Sequence, residues 1–495
     1  MKSINDSPKG GLVPVSQKVM NLSHVLRQSA RRFPQEIGLV WGDVSWCWLD
    51  IDERVDAMVN ALVSRGVTKG DRILVQSHNC NQLFESMFVC FRLGAVWVPT
   101  NFRQSPKEVA YLAKTSGAVA IICHADFPEH ASEACFASSA LKVVISIGAT
   151  SFGENYDDLV ANHLSQKVSV ASVNHNDPCW FFFTSGTTGR PKAAVLTHGQ
   201  MGFVITNHLC DLFPDTRQTD ASLVVAPLSH GAGIHQLANT ARSVKTVLLS
   251  SLRFDVEEAW KLVEQWKISN MFTVPTIVKR LVEHESVDKY DHSSLRYVIY
   301  AGAPMYREDQ KYALKKLGMV LVQYFGLGEV TGNITVLPAP LHSSNDGAKV
   351  RIGTCGYERT GMEISIQDKN GKELPHGEIG EIAVCGPAVF AGYYNNPEAN
   401  KRSFREGWFL TGDLGYMDFQ GYVFITGRLS DMYISGGSNI YPLEIEEKML
   451  QHPSVSEVAV VGIPDKTWGE VGVAVCVWRE KDKIPEIPTK ILDKI

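Results

Sequence analysis

Several features that mark other protein classes are missing from this 495-residue sequence. No apolar run approaches the length of about 18 residues that spans a bilayer as a helix. The first 18 residues are polar and broken by Pro8, Gly10, Gly11 and Pro14, so they have loop character and no apolar core of a secretion signal. Ten cysteines are present, but no pair stands at CxxC spacing, and several sit in apolar stretches such as Ile121-Ile122-Cys123. That scatter argues against a disulfide framework or a zinc site and for reduced thiols in a cytoplasmic protein. Charge of one sign is also missing. With 48 Lys and Arg against 53 Asp and Glu, a net charge of −5 supplies no footprint for nucleic acid or an anionic membrane. There is no internal repeat, no low-complexity linker, and no GxGxxG after an early strand, which disfavours a dinucleotide-dependent oxidoreductase.

What is present is the material of a soluble globular protein, 44% hydrophobic and 20% charged, too long for one ordinary core. Its organising stretch is Thr184-Ser185-Gly186-Thr187-Thr188-Gly189-Arg190-Pro191-Lys192, directly after the apolar Trp180-Phe181-Phe182-Phe183. A buried strand ends there. Glycines then let the backbone bend and present N–H groups, while hydroxyls and Lys192 offer donors to phosphate oxygens. A polar turn would read similarly. A Walker A loop is excluded, because Gly186 and Gly189 are too close and no Lys-Ser or Lys-Thr pair opens a helix.

Around it, strands and helices alternate. The pattern predicts a helix over 22–31, a hairpin over 37–48 turning at Gly42-Asp43, and a helix through Ile51, Val55, Met58 and Leu62 that stops at Gly66. Strands over 72–76, 95–99 and 119–123 alternate with helices over 83–93 and 108–116. The alternation resumes after Lys192 with strands at 193–196, 223–226, 246–249, 271–274, 297–301 and 320–323. Such units imply α/β subdomains with largely parallel sheets covered on both faces. Beyond about 345, short strands and glycine turns predict a β-rich module, a small barrel being one form of it. A small α+β segment follows, with a helix over 443–451 and a strand over 458–461. The expected division is an N-terminal domain of two α/β subdomains plus the β module, 1–429, and a C-terminal domain, 430–495.

Further polar clusters follow the strands: Tyr324-Phe325-Gly326-Leu327-Gly328-Glu329, Thr411-Gly412-Asp413, Gly427-Arg428-Leu429-Ser430-Asp431 and Ser435-Gly436-Gly437-Ser438-Asn439. Each alone has a plain reading as a helix start, a turn or a surface cation. In this order and spacing, over about residues 20 to 480, they resemble the adenylate-forming superfamily of acyl-CoA synthetases, luciferases and adenylation domains. Gly94 to Asn101 with Glu108, and Ile463-Pro464-Asp465 with Trp468-Gly469-Glu470, extend the match. The Gly-Trp-Phe-Leu-Thr-Gly-Asp and Ser-Gly-Gly-Ser-Asn-Ile-Tyr-Pro forms look most like acyl- or aryl-CoA ligases.

The resemblance implies an ATP-dependent, AMP-forming acid–thiol ligase. A carboxylate attacks the α-phosphate of ATP, and the CoA thiol then attacks the acyl-adenylate. By resemblance, Thr184, Ser185, Gly186, Thr187, Thr188, Gly189 and Lys192 hold the outer phosphates, and Glu329 binds Mg²⁺. Phe325 stacks on adenine, backed by Ala301-Gly302-Ala303-Pro304, and Asp413 and Arg428 meet the ribose. His230 lines the acyl pocket near the thioester-forming centre, and Gly436 and Gly437 let the pantetheine arm pass. The expected acid pocket (Val274, Thr276, His230, Gly231, Ala301, Gly302, Tyr324 and Gly328) suits an uncharged aliphatic or aromatic tail better than a dicarboxylate.

The sequence also departs from the pattern. Gly328 stands where the family has a Thr that contacts the α-phosphate, Tyr324 where Gly is frequent, and Ser430 where the hinge carries Asp or Lys. The family's C-terminal domain runs several tens of residues beyond Val477 and carries a lysine that bridges carboxylate and α-phosphate. No lysine here lies in that context, so the expectation is an incomplete C-terminal domain, poor adenylation, and retained thioester formation from supplied acyl-adenylate. Loading of a carrier protein, and an impaired nucleotide- or acyl-binding homologue, stay open beside the ligase, as does a homodimer.

Overall fold

The computed structural model describes residues 18–149, 152–184, 190–347, 350–436, 438–450, 452 and 454–478. Local signals set the helix limits. Ser105 and Glu108 form a reciprocal capping box with Pro106 opening the helix Pro106–Ser116, and Gly117 closes it at φ 62°. Helix Asn81–Leu93 closes the same way on Gly94 at φ 73°.

The first sheet runs in the order Lys192–Thr197, Pro178–Thr184, Val96–Pro99, Arg72–Gln76, Ala120–His124, Val143–Ile147, Glu154–Asn155. All its pairs are parallel except the first. Alternate residues feed opposite cores. Ile73, Val75 and Trp97 join one cluster, while Leu74, Val96 and Val98 join another, so both faces are covered. The second sheet has the order Leu321–Gln323, Tyr297–Tyr300, Asn270–Thr273, Ala221–Val224, Lys245–Leu248, Ile37–Trp41, Val44–Cys47. Leu39, Val224 and Ile299 share the core used by Ile73 and Trp97, whereas Val40, Leu223 and Val298 face a separate one. The shared core also takes Met201 and Val204 of helix His198–Asp211 and Ile234 and Leu237 of helix Gly231–Ala241. Those two helices therefore bring buried side chains in between the sheets.

Three features go beyond the pattern read from the sequence. The hairpin at the front of the sequence pairs with Lys245–Leu248 and forms the edge of the second sheet, a long-range contact that periodicity does not encode. Residues 125–165, for which the pattern above gives no element, hold helix Pro128–Ala137, strand Val143–Ile147 and helix Tyr156–His163. The β module follows an open path, Thr335–Val336, Thr354–Glu358, Val423–Arg428, Trp408–Met417, Gly380–Cys385, Glu363–Gln367, so no barrel closes among the described residues.

Beyond Arg428 a separate antiparallel sheet forms, Ser438–Ile440, Tyr433–Ser435, Gly469–Trp478, Val455–Asp465, with helix Pro442–Leu450 against it. Its core is small: Tyr433, Met449 and Val460. All ten cysteines are free. Among the described residues no helix is long and apolar enough to cross a membrane.

Candidate active site

A cavity of about 750 Å³ lies where the β module, the second sheet and the C-terminal sheet meet. Gly302, Ala303 and Pro304 wall it from the loop after strand Tyr297–Tyr300, and Tyr324, Phe325 and Leu327 from the segment after strand Leu321–Gln323. Gly302 sits at φ 86°, a left-handed turn that glycine adopts without strain. Ala301 is buried behind it. Asp413, Gly427 and Arg428 close a second side, and Tyr433, Pro442, Gly462 and Glu470 come from the C-terminal sheet and its helix.

Strand pairing builds two corners of the site. Thr184 stands opposite Lys192 in the antiparallel pair Pro178–Thr184 and Lys192–Thr197. The Thr184 hydroxyl donates to Glu329 Oε1 at 2.7 Å, and the Tyr393 hydroxyl donates to the same oxygen at 2.9 Å. Glu329 is buried, and Oε2 has no hydrogen-bond partner among the described residues. A carboxylate oxygen held this way fits a hard cation completed by phosphate oxygens and water. Among the described residues no group of three or more His, Cys, Asp and Glu side chains could hold a metal without such help. Lys192 Nζ lies 4.5 Å from the centre of the Tyr393 ring. Burial and the Glu329 charge push the Tyr393 phenol well above its usual range, so it stays a donor. Tyr393 went unremarked in the sequence; its only signal was the pair Gly392-Tyr393 in a loop.

At the other corner Asp413 and Arg428 are register partners, with Arg428 Nε 3.3 Å from Asp413 Oδ1. The carboxylate is buried while the guanidinium is 66% exposed, so solvent screens the pair and its worth is below about 1 kcal/mol. Burial raises the Asp413 pKa to about 6 against the opposing pull of Arg428, with Asp431 and Glu329 adding to the rise. Ser430 lies between these elements with its hydroxyl on Asp431.

Gly328 has a steric reason. A Cβ there would come within 2.6 Å of Phe182 Cδ1 and 2.9 Å of Thr184 Cγ2, so those two side chains occupy the space a threonine would need. The same Phe182 ring meets His230 edge-on at 5.6 Å. His230 precedes helix Gly231–Ala241 but makes no side-chain cap; its Nδ1 pairs with Ser229 Oγ at 2.9 Å. Burial first, and the Arg103 charge second, lower its pKa, so it is a neutral imidazole near pH 7. Neither His230 nor Phe182 is among the cavity walls.

The structure thus brings together Thr184, Lys192, Glu329 and Gly328, and separately Gly302, Ala303, Phe325, Asp413 and Arg428 around the cavity. Gly436 is apart from both, at the turn after strand Tyr433–Ser435 and beneath the Trp468 ring. Ser185, Gly186, Thr187, Thr188, Gly189 and Gly437 lie outside the described residues, as does the stretch 479–495 on which the lysine expectation falls.

A cavity between a parallel sheet, a β module and a small C-terminal sheet, with an Asp–Arg pair on its wall and a buried carboxylate at the other corner of the site, suits a nucleotide-handling enzyme. Residues 26–394 match the family described as AMP-binding enzyme and residues 444–495 its C-terminal domain, so the chain belongs to the AMP-binding enzyme family. It is 34% identical over 459 residues to a feruloyl-CoA synthase of an Amycolatopsis species, covering 92% of this chain and 88% of that protein. It is 31% identical over 461 residues to a long-chain-fatty-acid–CoA ligase of Mycobacterium tuberculosis, with the same coverage. Among solved structures, o-succinylbenzoate CoA synthetase of Bacillus subtilis with its acyl-adenylate superposes with a TM-score of 0.83 at 27% identity, covering 97% of this chain and 91% of that one.

Proposed function

We propose that this protein is an ATP-dependent carboxylate–CoA ligase that works through an acyl-adenylate. The observation that carries the reading is the meeting of distant motifs at one place: Thr184, Tyr393 and Glu329 form one hydrogen-bonded corner, and Phe325, Gly302 and Asp413 line the adjoining cavity. The CoA-ligase relatives support it.

In the first half-reaction a carboxylate oxygen forms a bond to the α-phosphorus and pyrophosphate leaves. Thr184 and Lys192 would hold the triphosphate tail, and Glu329 would hold Mg²⁺, which would neutralise charge on the phosphates. Phe325 packs on the adenine, and Asp413 accepts from the ribose hydroxyls. In the second half-reaction the CoA sulfur forms a bond to the acyl carbon and AMP leaves. His230 is neutral and near Phe182, at the side where the acyl group lies. Most of the rate comes from alignment and fixed charge. We place the division between domains at residues 429 and 430, in the segment between strands Val423–Arg428 and Tyr433–Ser435. The free thiols suit a reducing cytoplasm.

The test is AMP and pyrophosphate release with a panel of aryl and aliphatic acids, with and without CoA. Acid-dependent release that CoA accelerates, with thioester as product, is expected. Adenylation indifferent to CoA and answered by a carrier protein would replace this reading with carrier loading.

A further inference from the structure

Behind the Tyr324 ring that walls the cavity lies a buried polar cluster with unmet hydrogen-bonding capacity. Arg359 has a side chain with 0% exposure. One of its terminal nitrogens donates to His208 Nδ1 at 3.3 Å, and Nε has no hydrogen-bond partner among the described residues. Nε instead faces Asp211 Oδ2 in an ion pair at 3.7 Å, and Asp211 is also held by Thr360 and Asn207. Because a guanidinium only donates, His208 Nδ1 accepts, which places the proton of a neutral ring on Nε2. That atom is unpartnered, and so are both ring nitrogens of the fully buried His235. Burial keeps both imidazoles neutral. Two imidazole donors on adjoining rings therefore lack an acceptor: His208 Nε2 and whichever His235 nitrogen carries hydrogen.

These groups adjoin the candidate site. The His208 and His235 rings are 4.6 Å apart, His235 stacks on Phe272 at 4.5 Å, and Phe272 and His235 stack with Tyr324 at 5.9 and 5.8 Å. Arg359 lies over the Tyr324 ring at 5.9 Å. Two glycines admit this arrangement. A Cβ on Gly231, next to His230, would come within 2.8 Å of Phe272, and one on Gly332 within 2.5 Å of Tyr324. The cluster is thus one ring deep from the cavity wall, on the His230 side.

We propose that Arg359, His208 and His235 form the far end of the acid pocket and select an acid whose tail carries an oxygen acceptor, a hydroxyl or a second carboxylate. This rests on the ligase reading and reverses the uncharged tail expected from the small apolar residues alone. A buried site equipped to donate hydrogen bonds rejects an analogue that leaves its donors unpaired. Tyr324 limits the length of the tail, and its flat face favours a short or planar one.

The probes are adenosine 5′-sulfamates of matched acids, 4-hydroxycinnamic against cinnamic and adipic against hexanoic, titrated calorimetrically into the full chain alongside AMP. The oxygen-bearing member of one pair binds about 10- to 100-fold more tightly, and the winning pair says whether hydroxyl or carboxylate is taken. His235→Phe, which keeps a stacked ring, brings that ratio to within about threefold. Equal or inverted affinities in both pairs, or a ratio unchanged by His235→Phe, overturn the inference while AMP binding leaves the ligase reading standing. Failure to bind AMP and every sulfamate overturns both.

Discussion

The proposed nucleotide side and the proposed acid side of the site are built differently. On the nucleotide side, contacts follow from strand register: Thr184 faces Lys192, Asp413 faces Arg428, and Glu329 receives two short hydrogen bonds. On the acid side, Arg359, His208 and His235 come from separate elements, and the two imidazoles are left with unpaired ring nitrogens. Satisfied polar groups hold one arrangement, whereas unpaired buried donors are costly until a ligand meets them. The first side has chemistry common to any acid; the second has the means to tell acids apart.

Four experiments would break or sharpen that contrast. The largest effect is expected from Glu329→Gln, which keeps an oxygen for Thr184 and Tyr393 but removes the charge. Single-turnover pyrophosphate release should fall about 10²- to 10³-fold with little change in Tm; a small loss would remove Glu329 from the centre of the nucleotide side. Arg359→Met leaves Asp211 without its buried cation, so urea unfolding should show a loss of about 3 kcal/mol, while AMP affinity stays near its original value. Loss of AMP binding in a folded variant would show that the two sides are not separable.

Tyr393→Phe deletes one hydrogen bond to Glu329 and keeps the ring under Lys192. About a tenfold fall in adenylation is expected, together with a higher Mg²⁺ requirement. An unchanged metal dependence would mean that the phenol only fills space. The smallest effect is the pH response. Asp413 is raised to about 6, so lowering the pH through that value protonates the ribose acceptor and should raise the KM for ATP several-fold. For folding the sign is opposite: with its pKa raised above the unfolded value, Asp413 binds its proton more tightly when folded. Its contribution therefore falls as pH climbs from about 4 to about 6. Asp413→Asn should flatten this arm of the KM profile.

Much of the nucleotide side was legible beforehand, because strand ends followed by glycine, hydroxyl and carboxylate clusters are local patterns. Thr184 and Lys192 belong to one hairpin, and Phe325 and Glu329 to one segment. Tyr393 was not legible, since nothing around it in sequence says that its hydroxyl reaches Glu329. The reason for Gly328 was equally hidden, because the space is taken by Phe182 and Thr184 from another sheet. The proposed acid side was less legible for the same reason: its small residues were visible, but the histidines on two interior helices and Arg359 after strand Thr354–Glu358 had no shared pattern.

By itself, then, the sequence determined the alternation of strands and helices, the limits of most elements, and the polar clusters that follow the strand ends. These depend on backbone preferences and hydrophobic periodicity within a few residues. Tertiary structure alone decided that the early hairpin edges the second sheet, that the β module stays open, and that a cation and two imidazoles gather behind Tyr324. Those outcomes depend on which faces are buried against which, and burial sets the protonation and unmet bonding of the groups involved.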